Sequence, residues 1–213
     1  WTGPIYITTP CSGAISPPYF ENFESPLWEP YVNFQDYGQM SPCWSANPVA
    51  SFDYQWLVNP NPLFSTNTGP NGDHTTGSGK YVASQAAGGT NTFATLRSPQ
   101  INLATVTNPE LNFWYHMYGS DISSLQVEVK TIAATVWTIV YTKTGQQQTS
   151  SAMAWQSASV SLAGFAGQTV FIRFRGTRIG TGFSAKIAID DLSIVPGSNC
   201  PKPAGFTATN ITS

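Results

Sequence analysis

Apolar and polar side chains alternate along most of this chain with a period of two, the spacing that sends successive residues to opposite faces of a strand. The clearest stretch is 111–130, LNFWYHMYGSDISSLQVEVK. Leu111, Phe113, Tyr115 and Met117 fall on one face, and Asn112, Trp114, His116 and Tyr118 on the other. Gly119, Ser120 and Asp121 carry turn chemistry, after which Leu125, Val127 and Val129 alternate with Gln126, Glu128 and Lys130. The pattern predicts a hairpin. Its first strand, apolar on both faces, is expected at the centre of a sheet, with Trp114, His116 and Tyr118 as an outward row suited to recognition.

Further strands are predicted at 19–24 (with Phe23 inward), 52–58, 80–84, 92–98, 101–103, 137–142, 158–162, 170–175 and 186–195, punctuated by Gly, Pro and Ser. No segment carries a helical period. Short strands at this spacing predict an all-β fold, a jelly-roll β-sandwich of two antiparallel sheets. In it, 19–24 and 187–194 are expected to be neighbouring strands.

Composition narrows the function. Charged residues make up 9% of the 213 residues and the net charge is −2, against roughly 25% charged in an average domain. A general nucleic-acid binder needs a strongly basic face, so that class is disfavoured. With 22 Ser, 24 Thr and 13 Asn, the surface is solvated by neutral polar groups, as suits an extracellular β protein. No run of about 18 apolar residues exists, so membrane insertion is not expected.

Several segments together resemble one family. They are FENFE at 20–24, DYQW at 53–56, TGPNGDHTTGSGKYV at 68–82, LRSP at 96–99, LNFWYHMYGSDISSLQVEV at 111–129, VWTIV at 136–140 and KIAIDDLSI at 186–194. In this order they resemble the MAM domain, named for meprin, A5 antigen and receptor phosphatase mu. The resemblance implies an extracellular β-sandwich used for adhesion or ligand recognition, without catalysis of its own. The flanks resemble pieces of fibronectin type III modules: 1–10 the end of one, 200–213 the start of another. A MAM-like domain at 11–199 between such modules resembles large secreted or surface proteins of bacteria. The expected partners are therefore an extracellular protein or polysaccharide and the neighbouring modules of the same chain. A carbohydrate-binding module attached to a secreted hydrolase, with an anionic polysaccharide as ligand, is the alternative.

Eleven acidic residues are few, yet Glu24, Asp53, Asp73, Asp190 and Asp191 lie where strands and loops are expected to converge. Clustered carboxylates repel, and a hard cation with oxygen ligands removes that cost. Related jelly rolls carry a structural Ca²⁺ between first and last strands, so these five residues are the expected calcium ligands. The opposing expectation is that they cap turns and pair with Lys or Arg. His74 beside Asp73 invites a catalytic reading, but no GxSxG or HExxH motif accompanies it, and no catalytic residue is assigned. Arg173 and Arg175 share one strand face, with Arg178 following. The planar arginine fork suits carboxylate or sulfate groups, so Arg173 and Arg175 join Trp114 and His116 as ligand-binding candidates.

Three cysteines, Cys11, Cys43 and Cys200, allow one internal bridge and fit no zinc spacing. The four cysteines usual in MAM domains are absent, so the family's pattern does not transfer. Extending the 19–24 and 187–194 pairing outward brings Cys11 within reach of Cys200, leaving Cys43 as a buried thiol. The competing pair is Cys11 with Cys43.

Overall fold

The computed structural model describes residues 13–33, 36–48, 53–59, 67–86 and 88–197. Among these, twelve strands and a single 3₁₀ turn at Ala163–Phe165 are formed. The strands are β1 (Tyr19–Glu21), β2 (Ser45–Asn47), β3 (Tyr54–Asn59), β4 (Tyr81–Ala86), β5 (Phe93–Arg97), β6 (Ile101–Asn102), β7 (Pro109–Met117), β8 (Ile122–Thr131), β9 (Thr138–Thr144), β10 (Gln156–Ser161), β11 (Thr169–Arg178) and β12 (Ile187–Pro196). They form two antiparallel sheets packed face to face as a jelly-roll sandwich. One has the order β10-β7-β12-β4-β3 with β1 on β12; the other has the order β2-β5-β11-β8-β9 with β6 on β11.

The first and last strands pair as the sequence predicts, with Tyr19 facing Ile194 and Glu21 facing Leu192. Strand β7 is central, flanked by β10 and β12. The predicted hairpin is not formed: β7 and β8 belong to different sheets, and 118–121 carries the chain across the sandwich. Gly119 permits that crossing. Its φ is +149°, and a Cβ there would overlap the Ser184 carbonyl. The N–H of Asp121 then donates to that same Ser184 oxygen at 2.9 Å. Alternation alone does not reveal whether a turn folds a strand back or sends it to the opposite sheet.

The core lies between the inner faces. Leu111, Phe113, Tyr115 and Met117 of β7 are buried, as are Leu125, Val127 and Val129 of β8 and Val170, Ile172 and Phe174 of β11. Phe113 meets Phe174 edge-on across the sheets, with ring centroids 5.1 Å apart. Phe23, inward as predicted, packs with Trp28 at 4.9 Å, and Trp28 with Trp44 at 5.6 Å, which closes one end of the sandwich. Burying an aromatic of this size contributes about 1.5–3 kcal/mol relative to leaving it exposed, so this plug anchors a segment with little regular structure. Cys43 is disulfide-bonded. With three cysteines in the chain, a bridge at Cys43 is incompatible with a Cys11–Cys200 pair, and the expectation of a free Cys43 is corrected. Cys11, Cys200 and the flanks 1–10 and 200–213 lie outside the described residues.

Candidate functional site

The two outer sheet faces differ in chemistry. On the β7 sheet, Trp114 pairs with Asp190 across β12, and His116 with Ala188. This face is covered. His74 stacks on Trp114 with centroids 3.9 Å apart and planes 17° from parallel. Trp155 packs on Tyr81, Ala83 and Ala188 and meets the His116 ring edge-on at 5.7 Å. The expected recognition row is therefore not open. His116 is fully buried, and burial pushes its imidazole down to about 4. Its ring nitrogens face the backbone carbonyls of Met153 and Ser150 without reaching hydrogen-bond geometry. A neutral, enclosed imidazole is a packing element, so the ligand-binding role expected of His116 is corrected.

Beside this face, four of the five expected metal ligands converge around the loop 67–79. A bulge breaks the β12–β7 register between Asp190 and Ser193, with Asp191 at φ +44°. The consecutive carboxylates thereby reach one residue: Asp190 Oδ2 accepts the His74 N–H at 2.8 Å, and Asp191 Oδ2 faces His74 Nδ1 at 2.6 Å. Asp73 accepts the N–H groups of Thr76 (2.8 Å) and Gly79 (2.6 Å), and Glu24 Oε1 accepts the Lys80 N–H at 2.6 Å. Gly79 is wedged between those two carboxylates, since a Cβ there would overlap Glu24 and press on Asp73.

The electrostatics divide these groups. Burial, then the negative charges of Asp191 and Asp73, push Asp190 up to about 8 against the hydrogen bonds from His74 and Asp191. Burial also acts to raise Asp73, but the donors from Thr76, Gly79 and Ser78 outweigh it and hold its carboxyl below the usual range. Burial and the charges of Asp190 and Asp73 raise the Tyr81 phenol, whose buried hydroxyl has no hydrogen-bond partner among the described residues. Asp53 does not belong to this cluster. Its carboxylate accepts from Tyr54 N–H at 2.7 Å and pairs with Arg178 Nη2 at 3.2 Å, because that buried guanidinium requires an anion. Asp53 as a metal ligand is thus corrected. Among the described residues, no three His, Cys, Asp or Glu side chains have the separation needed to hold a metal ion.

His74 Nδ1 and Asp191 Oδ2 face each other at 2.6 Å. Thr75 Oγ1 donates to the same Asp191 oxygen at 2.6 Å. Among the described residues no hydroxyl hydrogen-bonds the far nitrogen of His74.

The outer face of the β11 sheet is open to solvent. Arg173 stands between Arg97 on β5 and Glu128 on β8, and Arg175 between Thr95 and Gln126. Arg173 Nε is ion-paired with the buried Glu128. Its guanidinium lies 4.1 Å from the Trp137 ring centroid, with Lys130 5.2 Å from the same ring. Arg175 covers Phe93 at 3.7 Å and Arg97 covers Phe171 at 4.8 Å. Arg178 does not join them; it is buried and held by the carbonyls of Gly88, Gly89, Asn91 and Gly182. Sequence reasoning found Arg173 and Arg175 by their two-residue spacing. It missed Arg97, Lys130 and Trp137, which join them only once the strand order is known.

A family model for the MAM domain (meprin/A5/mu) matches residues 35–201. A MAM domain-containing glycosylphosphatidylinositol anchor protein 1 of Gallus gallus is 35% identical over 166 residues, covering 73% of this chain and 16% of that protein. Neuropilin-1 of Xenopus laevis is 32% identical over 162 residues, covering 72% of this chain and 16% of that protein. Neuropilin-1a of Danio rerio is 34% identical over 97 residues, 44% of this chain and 10% of that protein. The chain thus spans only a small part of the length of these curated relatives. Among solved structures, the K1 cleaved adhesin domain of Lys-gingipain from Porphyromonas gingivalis W83 has the same fold. Its TM-score is 0.56 at 16% identity, over 84% of this chain and 98% of that one. Motif order, sandwich topology and the family match agree: the chain belongs to the MAM domain family.

Proposed function

We infer that this domain is a non-catalytic recognition and adhesion module of a larger extracellular protein, secreted or displayed at a surface. Its ligand docks on the open face of the β11 sheet. The observation that carries this reading is the division between the faces. The His74–Asp191 pair is spent on holding the 67–79 loop against Trp114, whereas on the β11 face Arg97 and Phe93 are exposed and Arg173, Arg175 and Trp137 half-buried beside them. Relatives that share the MAM domain and the adhesin domain of matching fold support it. The partner class is an extracellular protein or a polysaccharide.

We further propose a structural Ca²⁺ beside the 67–79 loop, held by Glu24, Asp73, Asp190 and Asp191. Carboxylate oxygens are the donors a hard cation takes, and since no three of them have the needed separation as they stand, the four would have to close on the ion. Asp190 is a buried carboxyl group subject to the negative charges of Asp191 and Asp73, and the Tyr81 hydroxyl has no partner among the described residues. Binding would require Glu24 and Asp73 to exchange backbone N–H contacts for the ion. The ion would neutralise the cluster and fix the loop, with no part in any reaction.

The test is a glycan array run alongside immobilised extracellular proteins, with wild type, Arg175→Glu and Trp114→Ala in parallel. The reading expects binding that is lost with Arg175→Glu and kept with Trp114→Ala. Binding that ignores Arg175 and depends on Trp114, or turnover of a bound glycan, sinks it.

A further inference from the structure

The geometry points to an anionic polysaccharide, a polymer of uronic or sulfated sugars, as the ligand of the β11 face; this rests on the reading of that face as the recognition surface. Four cations share the face, Arg97, Lys130, Arg173 and Arg175, and the register places one carboxylate, Glu128, among them. This leaves a surplus of three positive charges on one face of a chain whose net charge is −2. Four of the nine basic residues in the chain thus stand on this one face.

The cations are also pre-aimed. Each arginine lies over a ring, Arg175 on Phe93, Arg97 on Phe171 and Arg173 on Trp137. These contacts hold the guanidinium planes against the sheet at modest entropic cost, so less freedom is lost on binding. Neighbouring strands stand roughly 4.8 Å apart and same-face residues roughly 6.7 Å apart along a strand. The charges therefore form a spaced array that meets a repeating polymer at several points. Arginine's fork takes a carboxylate or sulfate in bidentate fashion.

Two features favour a sugar polymer over an acidic protein segment. Between the cations lie neutral hydrogen-bonding groups, Gln126, Thr142 and Ser124, which suit hydroxyl groups. Phe93, on the same face, is exposed and offers apolar contact for the C–H face of a sugar ring. An extended peptide, by contrast, recruits a sheet edge for its backbone hydrogen bonds, and this array lies at mid-sheet.

Affinity electrophoresis of the domain through gels containing polygalacturonate, dextran sulfate, neutral dextran or polyglutamate tests the proposal. The variant is Arg97→Gln with Arg175→Gln, which keeps the Arg173–Glu128 pair intact; Lys130→Gln is a second variant, and thermal melting of each confirms folding. We expect retardation by polygalacturonate or dextran sulfate, and none by dextran. Each arginine lost should weaken it by about tenfold. It should also vanish toward 1 M salt, where the screening length falls to about 3 Å. The stronger of the two charged sugar polymers tells carboxylate from sulfate. Equal retardation by polyglutamate, or none by any charged sugar polymer, overturns the polysaccharide class while leaving the face as a recognition surface. Retardation that persists in both variants overturns the face itself and the functional reading with it.

Discussion

Lys186 gives the most quantitative prediction. It precedes β12, only 2% of its surface is exposed, and its stem lies against Gly69, where a Cβ would overlap the side chain. No described carboxylate forms an ion pair with it. Burial alone lowers its ammonium from 10.5 to about 7. Below pH 7 both folded and unfolded chains hold the proton, and the fold bears a buried charge. Between about pH 7 and 10.5 the folded state has shed the proton while the unfolded chain keeps it. Stability therefore rises with pH across that window, by about 1.4 kcal/mol per unit, on the order of 5 kcal/mol in all. This is large against a typical total of roughly 5–15 kcal/mol. Lys186→Met keeps the stem's volume and deletes the charge. Its gain over wild type should be largest at pH 6 and shrink by about 1.4 kcal/mol per unit from pH 7 to 10.5. Urea unfolding of both proteins at unit intervals from pH 5 to 10, compared at fixed pH so that other titrating groups cancel, measures this difference. A gain that does not vary with pH, or a loss at pH 6, would refute a buried and unpaired ammonium.

Four further outcomes follow from the same geometry. Arg173→Ala strands the buried Glu128 carboxylate and should cost about 3–5 kcal/mol in urea unfolding, whereas Arg175→Gln should stay within about 0.5 kcal/mol. Gly119→Ala, at φ +149° against the Ser184 carbonyl, should cost about 2 kcal/mol or more and lower the melting temperature. A Ca²⁺ site at Glu24, Asp73, Asp190 and Asp191, filled at a hundred times its Kd, adds about 2.7 kcal/mol; EDTA should then lower the melting temperature of the calcium-loaded domain by roughly 5–10 °C, and identical melts would remove the ion. Non-reducing peptide mapping should find Cys43 crosslinked, with one free thiol per chain; a Cys11–Cys200 peptide contradicts this.

The strands were legible because period-two alternation survives in β7, β8, β11 and β12, where one face is core and the other is not. The pairing of Tyr19 with Ile194 was legible too, since both segments carry that pattern near the ends of the domain. What alternation could not carry was destination. The turn at 118–121 looks the same in sequence whether β8 returns beside β7 or crosses to the other sheet, and only the Ser184 contact decides. The convergence of Glu24, Asp73, Asp190 and Asp191 was readable from their place at strand ends. Asp53 was not separable from them, because its partner Arg178 lies far away in sequence. His116 and Trp114 read as outward-facing, which is true of their sheet. The cover formed by His74 and Trp155 comes from loops whose path no periodicity encodes. For the same reason Arg97 could not be read as a neighbour of Arg173 until β5 and β11 were known to pair.

Whether this domain recognises its ligand with the open face of the β11 sheet is decided by amide chemical-shift mapping of the ¹⁵N-labelled domain titrated with oligogalacturonate. Perturbations should be confined to Arg97, Gln126, Lys130, Thr142, Arg173 and Arg175 and their strand neighbours, with the 67–79 loop unmoved. Perturbations centred on His74, Trp114 and Trp155, with the arginine face silent, would contradict it.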